Sequence, residues 1–258
     1  MYGAIIGDLA GSIYEYDQCQ KEIKELNPKE IISNNAFYSD DTILTMAVLD
    51  AYLNDKDFCN YIKKYIRLFK DYKPNFKPYF DKPFSPNLIK WSKAKTIGKS
   101  TGNGAMMRIS SVGYLALNED EVRKYAYLAT KPSHNTPEAV NAATIVALTI
   151  YYGKHGMSRE EIFKKLHLKA EYIPFDKFNY TCNETIGNCL YAFYHASSFE
   201  DAIIRAVSMG GDTDTNACIV GSMAESIFVI PDYLKNKADE LIPDEFRLLL
   251  KNGYNNIK

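Results

Sequence analysis

Two short polar segments hold the residues whose types and spacing could do chemistry. Residues 210–216 read Gly-Gly-Asp-Thr-Asp-Thr-Asn, so two carboxylates and neighbouring hydroxyls directly follow a glycine pair. Residues 39–42 read Ser-Asp-Asp-Thr and would add two more carboxylates if the two parts of the chain meet. Oxygen ligands packed this densely suit Mg²⁺ or Mn²⁺, and two such ions about 3.5–4 Å apart activate water and hold a substrate's oxygens. We therefore expect a metal site formed by both segments.

A plainer explanation is helix capping, because both segments precede predicted helices. A polar side chain at a helix N-terminus satisfies free N–H groups and is worth about 0.5–2 kcal/mol. One aspartate is enough for a cap, whereas the chain places Asp40 beside Asp41 and Asp212 two residues before Asp214. Such pairs repel one another unless a cation binds them. The spacing therefore favours cation binding over capping alone.

The elements that must position these residues are helices. Start and stop signals for helices recur along nearly the whole sequence, and sustained alternation of apolar and polar residues is hard to find. We predict an all-α fold, and a single compact multi-helix domain over residues 1–258 because no boundary shows. The predicted helices cover an amphipathic run at 42–53, then 118–129 with a stop at Lys131 and Pro132, 137–153, 158–168, 181–196, 198–209 and 214 to about 229. Capping residues support four of these starts: Thr136 before Pro137, Ser158 with Glu161, Thr181 with Glu184, and Ser198.

At the N-terminus, glycine recurs every fourth residue at Gly3, Gly7 and Gly11. On a helix this spacing makes a bare stripe, which costs about 1 kcal/mol of helix propensity per glycine and which close packing of a second helix can offset. The equivalent membrane motif is excluded, because Asp8 interrupts an apolar run that is already short. Glu15 lies just beyond the stripe, where spacing alone favours an ordinary surface glutamate over a site residue.

Composition narrows the classes of function. With 46% hydrophobic residues, 24% charged residues and a formal net charge of −1, the chain offers no electrostatic case for nucleic acid or an anionic membrane as its main partner. The sequence shows no signal peptide and no apolar run of ~20 residues, so we expect a cytoplasmic protein without a membrane span. The five cysteines lack a CxxC pair and the four histidines lack HExxH spacing, which favours reduced core thiols over zinc sites or disulfides.

Two further stretches are less regular. Residues 68–86 are rich in lysine, proline and aromatic residues without a helical period, which predicts a long loop; the stretch is too short and too mixed in charge to indicate single-stranded nucleic-acid binding. The glycine-rich residues 98–108 fail the P-loop pattern, because Lys93 stands where its first glycine should be. What remains is a tight turn at residues 101–104, whose small residues let backbone N–H groups approach a ligand.

Taken together, five motifs occur in a fixed order along the chain. They are residues 7–15 (Gly-Asp-x-x-Gly-Ser-x-Tyr-Glu), residues 39–42, residues 102–108 (Gly-Asn-Gly-Ala-Met-Met-Arg), residues 133–134 (Ser-His) and residues 210–216. This set resembles the ADP-ribosylglycohydrolase family over nearly the whole chain. Each motif is modest alone, whereas the ordered set is specific. The resemblance implies an all-α fold with a binuclear Mg²⁺ or Mn²⁺ centre in a cleft, in agreement with the predicted helices.

Carried over position by position, the resemblance implies a role for each motif. The metal ligands would be Ser39, Asp40 and Asp41 from one side and Asp212, Asp214 and Thr215 from the other. Glu15 would gate the site or act as a second acid or base, which reverses the interpretation from spacing alone. The residues along ADP-ribose would be Gly102, Asn103 and Gly104, with Ser133 and His134 lining its diphosphate and ribose.

The implied activity is hydrolysis of the glycosidic bond between ADP-ribose C1″ and a modified side chain, with arginine as the first choice of acceptor. Two metals would hold the ribose 2″ and 3″ hydroxyls and a water, while Asp212 or Asp41 takes a proton. Two alternatives stay open: a binuclear-metal phosphoesterase or hydrolase of a free ADP-ribose derivative, and a non-catalytic ADP-ribose-binding or structural member of the family. We expect an ADP-ribosylated protein or other conjugate as substrate, ADP-ribose as product, and a monomeric protein.

Overall fold

Helices follow one another along the chain in a computed structural model, which describes residues 1–20, 27–74 and 83–257. In chain order they are α1 (Tyr2–Gln20), α2 (Asp40–Leu53), α3 (Phe58–Phe69), α4 (Pro86–Lys93), α5 (Gly104–Met107), α6 (Ser110–Leu115), α7 (Glu119–His134), α8 (Pro137–Lys154), α9 (Arg159–Leu166), α10 (Cys182–His195), α11 (Phe199–Ser208), α12 (Thr213–Ala224), α13 (Asp232–Leu241) and α14 (Asp244–Asn255). Within the described ranges there is no β-strand, and two isolated bridges pair Lys99 with His134 and Gly102 with Thr181. None of the described helices combines the length and the apolar character that crossing a membrane requires. The predicted all-α fold is confirmed.

Capping residues begin several helices at the predicted positions. The side chains of Thr136 and Ser198 accept backbone N–H groups at the starts of α8 and α11. Reciprocal capping boxes open α9 at Ser158 and α10 at Thr181. These predictions are confirmed. Each cap joins residues only three positions apart, so its geometry depends on little else in the fold.

The predicted stop of α7 at Lys131 and Pro132 is wrong, since the helix continues to His134. Proline removes one N–H, yet it does not stop a helix whose final carbonyls find other donors. Here Gly98 N donates to Pro132 O at 2.9 Å, and Ser100 N donates to Ser133 O at 3.2 Å. The segment before α5 therefore completes the last turn of α7.

Two other helix predictions need correction. The helix predicted from residue 214 to about 229 is α12, and it ends at Ala224. Ser226 Oγ donates to Met223 O at 2.6 Å, and Ser226 N bonds the same carbonyl in a tighter turn, so the α-helical pattern ends there. The α2 helix is buried on nearly all sides instead of being amphipathic, because α1, α3, α6 and α14 pack around it.

The glycine stripe of α1 packs directly against α12. A Cβ on Gly3, Gly7 or Gly11 would lie 2.1, 2.0 or 2.3 Å from a carbonyl oxygen of α12. Thr213 Oγ1 also donates to Gly11 O at 2.8 Å. The predicted close helix contact is confirmed, and it joins the start of the chain to the helix that follows the Gly-Gly-Asp-Thr-Asp segment.

The predicted loop at 68–86 is shorter at both ends. Leu68 belongs to α3 and Pro86 opens α4, while residues 70–74 and 83–85 are not helical. The middle of the predicted loop, residues 75–82, lies outside the described residues.

The prediction of core thiols is confirmed for Cys182, Cys189 and Cys218, whereas Cys59 is only partly buried. Cys59, Cys182, Cys189 and Cys218 are free thiols, and the last three are buried. The side chain of Cys19 lies outside the described part.

We propose that residues 1–258 form a single domain, because contacts join the two ends of the chain. The amine of Met1 pairs with Glu225, and α14 packs against α2.

Candidate active site

The start of α2 is capped by Ser39 and Asp8, and not by Asp40 or Asp41. Ser39 Oγ accepts Asp41 N at 3.1 Å, which makes Ser39 the N-cap. The buried carboxylate of Asp8 accepts Ser39 N at 2.9 Å, Thr42 N at 3.0 Å and Thr42 Oγ1 at 2.5 Å, all at Oδ2. Capping therefore does not account for the adjacent Asp40 and Asp41 carboxylates.

The start of α12 also lacks a cap from its own aspartate, because Asp212 stands at the N-cap position without a side-chain cap bond. Gly210 and Gly211 both have φ of +71°, a left-handed conformation that suits glycine. Asn179 Oδ1 accepts Asp212 N at 2.9 Å, and a Cβ on Gly211 would lie 2.1 Å from that oxygen. The glycine pair and Asn179 thus fix the turn, and the Asp212 carboxylate is not needed to cap the helix.

The two acidic segments meet, as the sequence predicts. Thr215 Oγ1 donates to Asp41 Oδ2 at 3.0 Å across a sequence separation of 174 residues. Carboxylate oxygens of Glu15, Asp212 and Asp214 lie within 4.8 Å of one another. Helices α1, α2 and α12 therefore each contribute acidic side chains to one cluster.

Burial and mutual repulsion raise the pKa values of these carboxyls. Burial, followed by the charge of Asp214, raises the pKa of Asp8 to about 7 and that of Asp40 to about 8. Burial also raises the pKa of Asp212 to about 6. Burial together with neighbouring aspartates raises the pKa well above the usual range in three others: Glu15, Asp41 and Asp214. The cluster therefore favours binding positive charge, as protons or as cations.

The donor set fits divalent cations. Among the described residues, Asp8 Oδ1 and Asp41 Oδ1 are buried without a hydrogen-bond partner. Buried polar atoms normally have partners, and an unpaired buried carboxylate oxygen is costly. Carboxylate and hydroxyl oxygens are the ligands that Mg²⁺ and Mn²⁺ prefer. A cation in the cluster would compensate both the repulsion and the unpaired oxygens.

The acidic cluster lines one part of a cavity of about 730 Å³. Residues 98–104 form another wall, held in place by bonds from Asn103 N to Tyr180 O at 2.9 Å and from Cys182 N to Thr101 O at 2.8 Å. Asn103 Nδ2 donates to Asp212 Oδ2 at 2.6 Å and so links this wall to the cluster. A cavity of this size, with a polar end and apolar side chains elsewhere, suits a small organic ligand.

Ser133 and His134 lie at the end of α7 and line the same cavity. Ser133 Oγ is 2.7 Å from His134 Nδ1, and Arg108 Nη2 donates to Ser133 Oγ at 2.8 Å. Burial, followed by the Arg108 charge, holds the pKa of His134 well below its usual range. His134 is therefore neutral at physiological pH.

Nearly all of the predicted site residues line the cavity: Glu15, Asp40, Asp41, Gly102, Asn103, Gly104, Ser133, His134, Asp212, Asp214 and Thr215. Ser39 does not, and its hydroxyl instead donates to Asp41 Oδ2 at 3.3 Å. Reasoning from the sequence missed Asp8, Arg108 and Asn179 as residues that hold the site together. A charged residue inside the glycine stripe could have indicated Asp8, whereas Asn179 carries no local signal.

Comparison with known proteins places this geometry in context. A sequence model of the ADP-ribosylglycohydrolase family matches residues 1–227. ADP-ribosylhydrolase ARH3 of Mus musculus is 22% identical over 88% of this chain and 82% of its own length. ADP-ribosylarginine hydrolase Tri1 of Pseudomonas putida is 19% identical over 88% of this chain and 69% of its own. A solved structure described as an ADP-ribosylglycohydrolase-related protein complex superposes with a TM-score of 0.72 at 19% identity, covering 98% of this chain and 95% of that one.

Proposed function

We propose that this chain, which belongs to the ADP-ribosylglycohydrolase family and is a hydrolase of that class, cleaves ADP-ribose from arginine side chains in a metal-dependent reaction. The observation that carries the proposal is the acidic cluster: Thr215 bonds to Asp41, and the carboxylates of Glu15, Asp212 and Asp214 lie together. This cluster lines a cavity that residues 98–104 close on another side. Its cytoplasmic location and monomeric state stay predictions.

The metal ligands in this proposal are Ser39, Asp40, Asp41, Asp212, Asp214 and Thr215. When bound, two divalent cations would lower the pKa of a water and hold the hydroxyls of the distal ribose. Asp8 supports these ligands. Its Oδ2 accepts hydrogen bonds that fix the start of α2, and its Oδ1 has no hydrogen-bond partner among the described residues. Mg²⁺ and Mn²⁺ both suit such oxygen ligands.

In the proposed step, a bond forms between a water oxygen and C1″, and the bond between C1″ and the acceptor breaks. One proton of that water passes to a carboxylate, for which Asp212 is the first choice because Asn103 holds its Oδ2 at 2.6 Å; Asp41 is the alternative. Glu15 lies at the cavity and beside Asp212 and Asp214, so it can supply a proton to the departing group or gate the cavity. The tight turn at residues 102–104 would lie along ADP-ribose.

Charge supports arginine as the acceptor. Six carboxyl groups form the cluster and its support: Asp8, Glu15, Asp40, Asp41, Asp212 and Asp214. Ionised, they carry six negative charges, against four positive charges on two divalent cations and one on the buried Arg108, which would leave one negative charge uncompensated. A cationic guanidinium group gains from that field, whereas a neutral O-glycosidic linkage to serine does not. The similarity to Tri1, an ADP-ribosylarginine hydrolase, supports the same choice.

The test is incubation of the purified chain with arginine-linked, serine-linked and base-linked ADP-ribose, with Mg²⁺ or Mn²⁺ and with a chelator. We expect ADP-ribose release, fastest from arginine, that the chelator abolishes. Release that survives chelation contradicts the metal site, and preferred release from serine contradicts the charge argument. Phosphate release from nucleotides without free ADP-ribose would instead indicate a phosphoesterase, and binding without hydrolysis a non-catalytic protein.

Asp212→Asn tests the assigned base. Loss of a general base lowers rates by about 10²–10⁴-fold, and here the variant also loses a metal ligand, so we expect activity near background with little change in thermal stability. Asp232→Asn is the matched control, because its carboxylate is 92% exposed on α13. Full activity in Asp212→Asn would remove Asp212 from the mechanism.

A further inference from the structure

Arg108 is a fully buried cation that the proposed mechanism does not use. Among the described residues, its hydrogen-bond partners are neutral: Ala129 O at 3.2 Å, Ser133 Oγ at 2.8 Å and His134 Nδ1 at 3.5 Å, all from Nη2. Its Nε and Nη1 have no hydrogen-bond partner there. A buried guanidinium without a hydrogen-bonded carboxylate is costly, and beside the cavity the charge of Asp40 offsets only part of that cost.

The hydrogen bonds of Arg108 determine where the proton of His134 lies. A guanidinium can only donate, so Ser133 Oγ must accept from Arg108 Nη2. The acceptor left among the partners of Ser133 is His134 Nδ1, 2.7 Å away, so the Ser133 hydroxyl donates to it. Arg108 Nη2 also faces Nδ1, at 3.5 Å. Because the Ser133 hydroxyl donates to Nδ1, that nitrogen carries no proton, and the positive charge of Arg108 beside it also disfavours a proton there; the proton of the neutral ring is therefore on Nε2.

The Nε2 atom of His134 faces the turn at residues 102–104. A Cβ built on Gly102 would lie 3.5 Å from it, and one on Gly104 would lie 3.6 Å from it. The glycines leave bare backbone beside the ring, and all three residues line the cavity. An Nε2–H group here can donate to an oxygen of a ligand that enters along the glycine turn. The most suitable acceptor is an anionic oxygen, because hydrogen bonds to charged acceptors are the stronger ones.

The resemblance already implies that His134 lies at the diphosphate; we propose that Arg108 and Ser133 are positioning residues that hold it there as a neutral Nε2–H donor. The proposal rests on the proposed function for the identity of the ligand, and on the two hydrogen bonds that join Arg108, Ser133 and His134 for the tautomer. Arg108 has no exposed surface, so it acts through Ser133 and His134 and by its positive charge near the anion. Neither residue has to touch the reacting carbon.

The tautomer can be measured in the ligand-free protein. Two-bond ¹H–¹⁵N correlation spectra of the ¹⁵N-histidine-labelled full chain distinguish protonated from unprotonated ring nitrogens, and His134→Gln assigns the signals. His155 is an internal reference, because its Nδ1 lies 2.7 Å from Tyr151 O and must carry the proton. We expect His134 and His155 to show opposite tautomers. An Nδ1–H tautomer at His134 in the wild-type protein overturns the proposal, whether or not the chain hydrolyses any substrate.

Ser133→Ala removes the link between Arg108 and His134 and tests its effect on binding. We expect the His134 signals to show a mixture of tautomers, and ADP-ribose binding by calorimetry to weaken roughly tenfold, toward the range for a lost hydrogen bond to a charged group. In hydrolysis, KM should rise with kcat nearly unchanged, because the bond is equally present in ground and transition states. Ser133→Thr keeps the hydroxyl and should restore the tautomer and the affinity.

Ser111→Ala is the matched control, since Ser111 is equally buried and its hydroxyl has no partner among the described residues. It should leave the His134 tautomer and ADP-ribose affinity unchanged. If Ser133→Ala behaves like Ser111→Ala in both measurements, the proposed role of Arg108 and Ser133 is refuted. If no conjugate is hydrolysed while the tautomers and ADP-ribose affinities follow the prediction, the proposed function fails and the positioning role stands.

Discussion

Replacing Gly7 by alanine should separate α1 from α12 and weaken both the fold and the acidic cluster. A Cβ at this position would lie 2.0 Å from Ala217 O, 2.3 Å from the carbonyl carbon and 2.6 Å from Cys218 N. All three are backbone atoms, so no side-chain rotation relieves the overlap. An ordinary contact begins at 3.4 Å, so the two helices must move apart by about 1.4 Å at this point, the difference between 3.4 and 2.0 Å.

The cost follows from two opposing effects. Forcing an extra group into a well-packed contact costs about 1–3 kcal/mol or more, and a backbone obstacle places Gly7→Ala at the upper end. Alanine returns about 1 kcal/mol of helix propensity. We expect a net loss of about 2 kcal/mol in the free energy of unfolding, or roughly 4–8 °C in Tm for a chain of this size.

Gly187→Ala is the matched control. Gly187 lies within α10, and a Cβ there would meet nothing within 4 Å. This variant receives the same gain in propensity without the clash, so it should be up to about 1 kcal/mol more stable than the wild type. Urea unfolding followed by circular dichroism measures both variants on one scale.

The same displacement should reach the proposed metal site, because α1 carries Asp8 and Glu15 while α12 carries Asp214 and Thr215. Calorimetric titration with Mn²⁺ should show a weaker affinity in Gly7→Ala and an unchanged affinity in Gly187→Ala. If Gly7→Ala matches Gly187→Ala in stability, the close contact between α1 and α12 is not as described. If it is destabilised but binds Mn²⁺ like the wild type, the contact does not set the geometry of the cluster.

Three further predictions concern the cluster and its supports. Asp8→Asn can keep the capping bonds through its amide oxygen while it loses the charge, so the affinity for Mn²⁺ should fall while Tm stays nearly unchanged. Asp8→Leu keeps neither the capping bonds nor the charge and should lower both Tm and the affinity for Mn²⁺. Equal affinity for Mn²⁺ in Asp8→Asn and the wild type would limit Asp8 to capping. Asn179→Ala removes hydrogen bonds to Asp212 N and to two neighbouring side chains, each worth about 1 kcal/mol, so the free energy of unfolding should fall by about 3 kcal/mol. A loss below about 1 kcal/mol would show that the turn at Gly210 and Gly211 is stable without Asn179. The folded pKa values of Asp8, Asp40 and Asp212 are raised to about 7, 8 and 6, so the folded cation-free protein binds more protons than the unfolded chain. In a chelator, Tm should therefore fall as pH rises from about 5 to 8, and saturating Mg²⁺ should reduce or reverse that fall. A cation-free Tm that rises over this range would contradict the crowded cluster.

The features that the sequence predicted well are those set by near neighbours. The capping box at Thr181 needs only Glu184 three residues later, and it forms as expected. The helix stop at Pro132 was wrong for the opposite reason, because the continuation of α7 depends on donors at Gly98 and Ser100. The residues around Pro132 do not by themselves indicate hydrogen-bond donors that lie more than 30 positions away in the chain.

The candidate site divides in the same way. The density of oxygen atoms at Asp40, Asp41 and Asp212 is visible in the sequence and indicates cation binding. Arg108 acts on Ser133 at a separation of 25 residues, and Asn179 acts on Asp212 at a separation of 33. Nothing in the sequence around Arg108 or Asn179 shows which atoms they contact in the fold. A single sequence therefore indicates candidate ligands of a site more readily than the residues that hold them in place.

Asp8 shows why the supports matter as much as the ligands. On consecutive residues of α1, Gly7 contacts the backbone of α12 and Asp8 binds the first turn of α2. One helix thereby fixes the distance between the two acidic segments, which the bond from Thr215 to Asp41 closes at 3.0 Å. Because Asp8 and Ser39 satisfy the start of α2, the Asp40 and Asp41 carboxylates are not required for capping there. The glycine stripe and Asp8 within it thus act together: they place the carboxylates so close to one another that the cluster favours binding protons or cations.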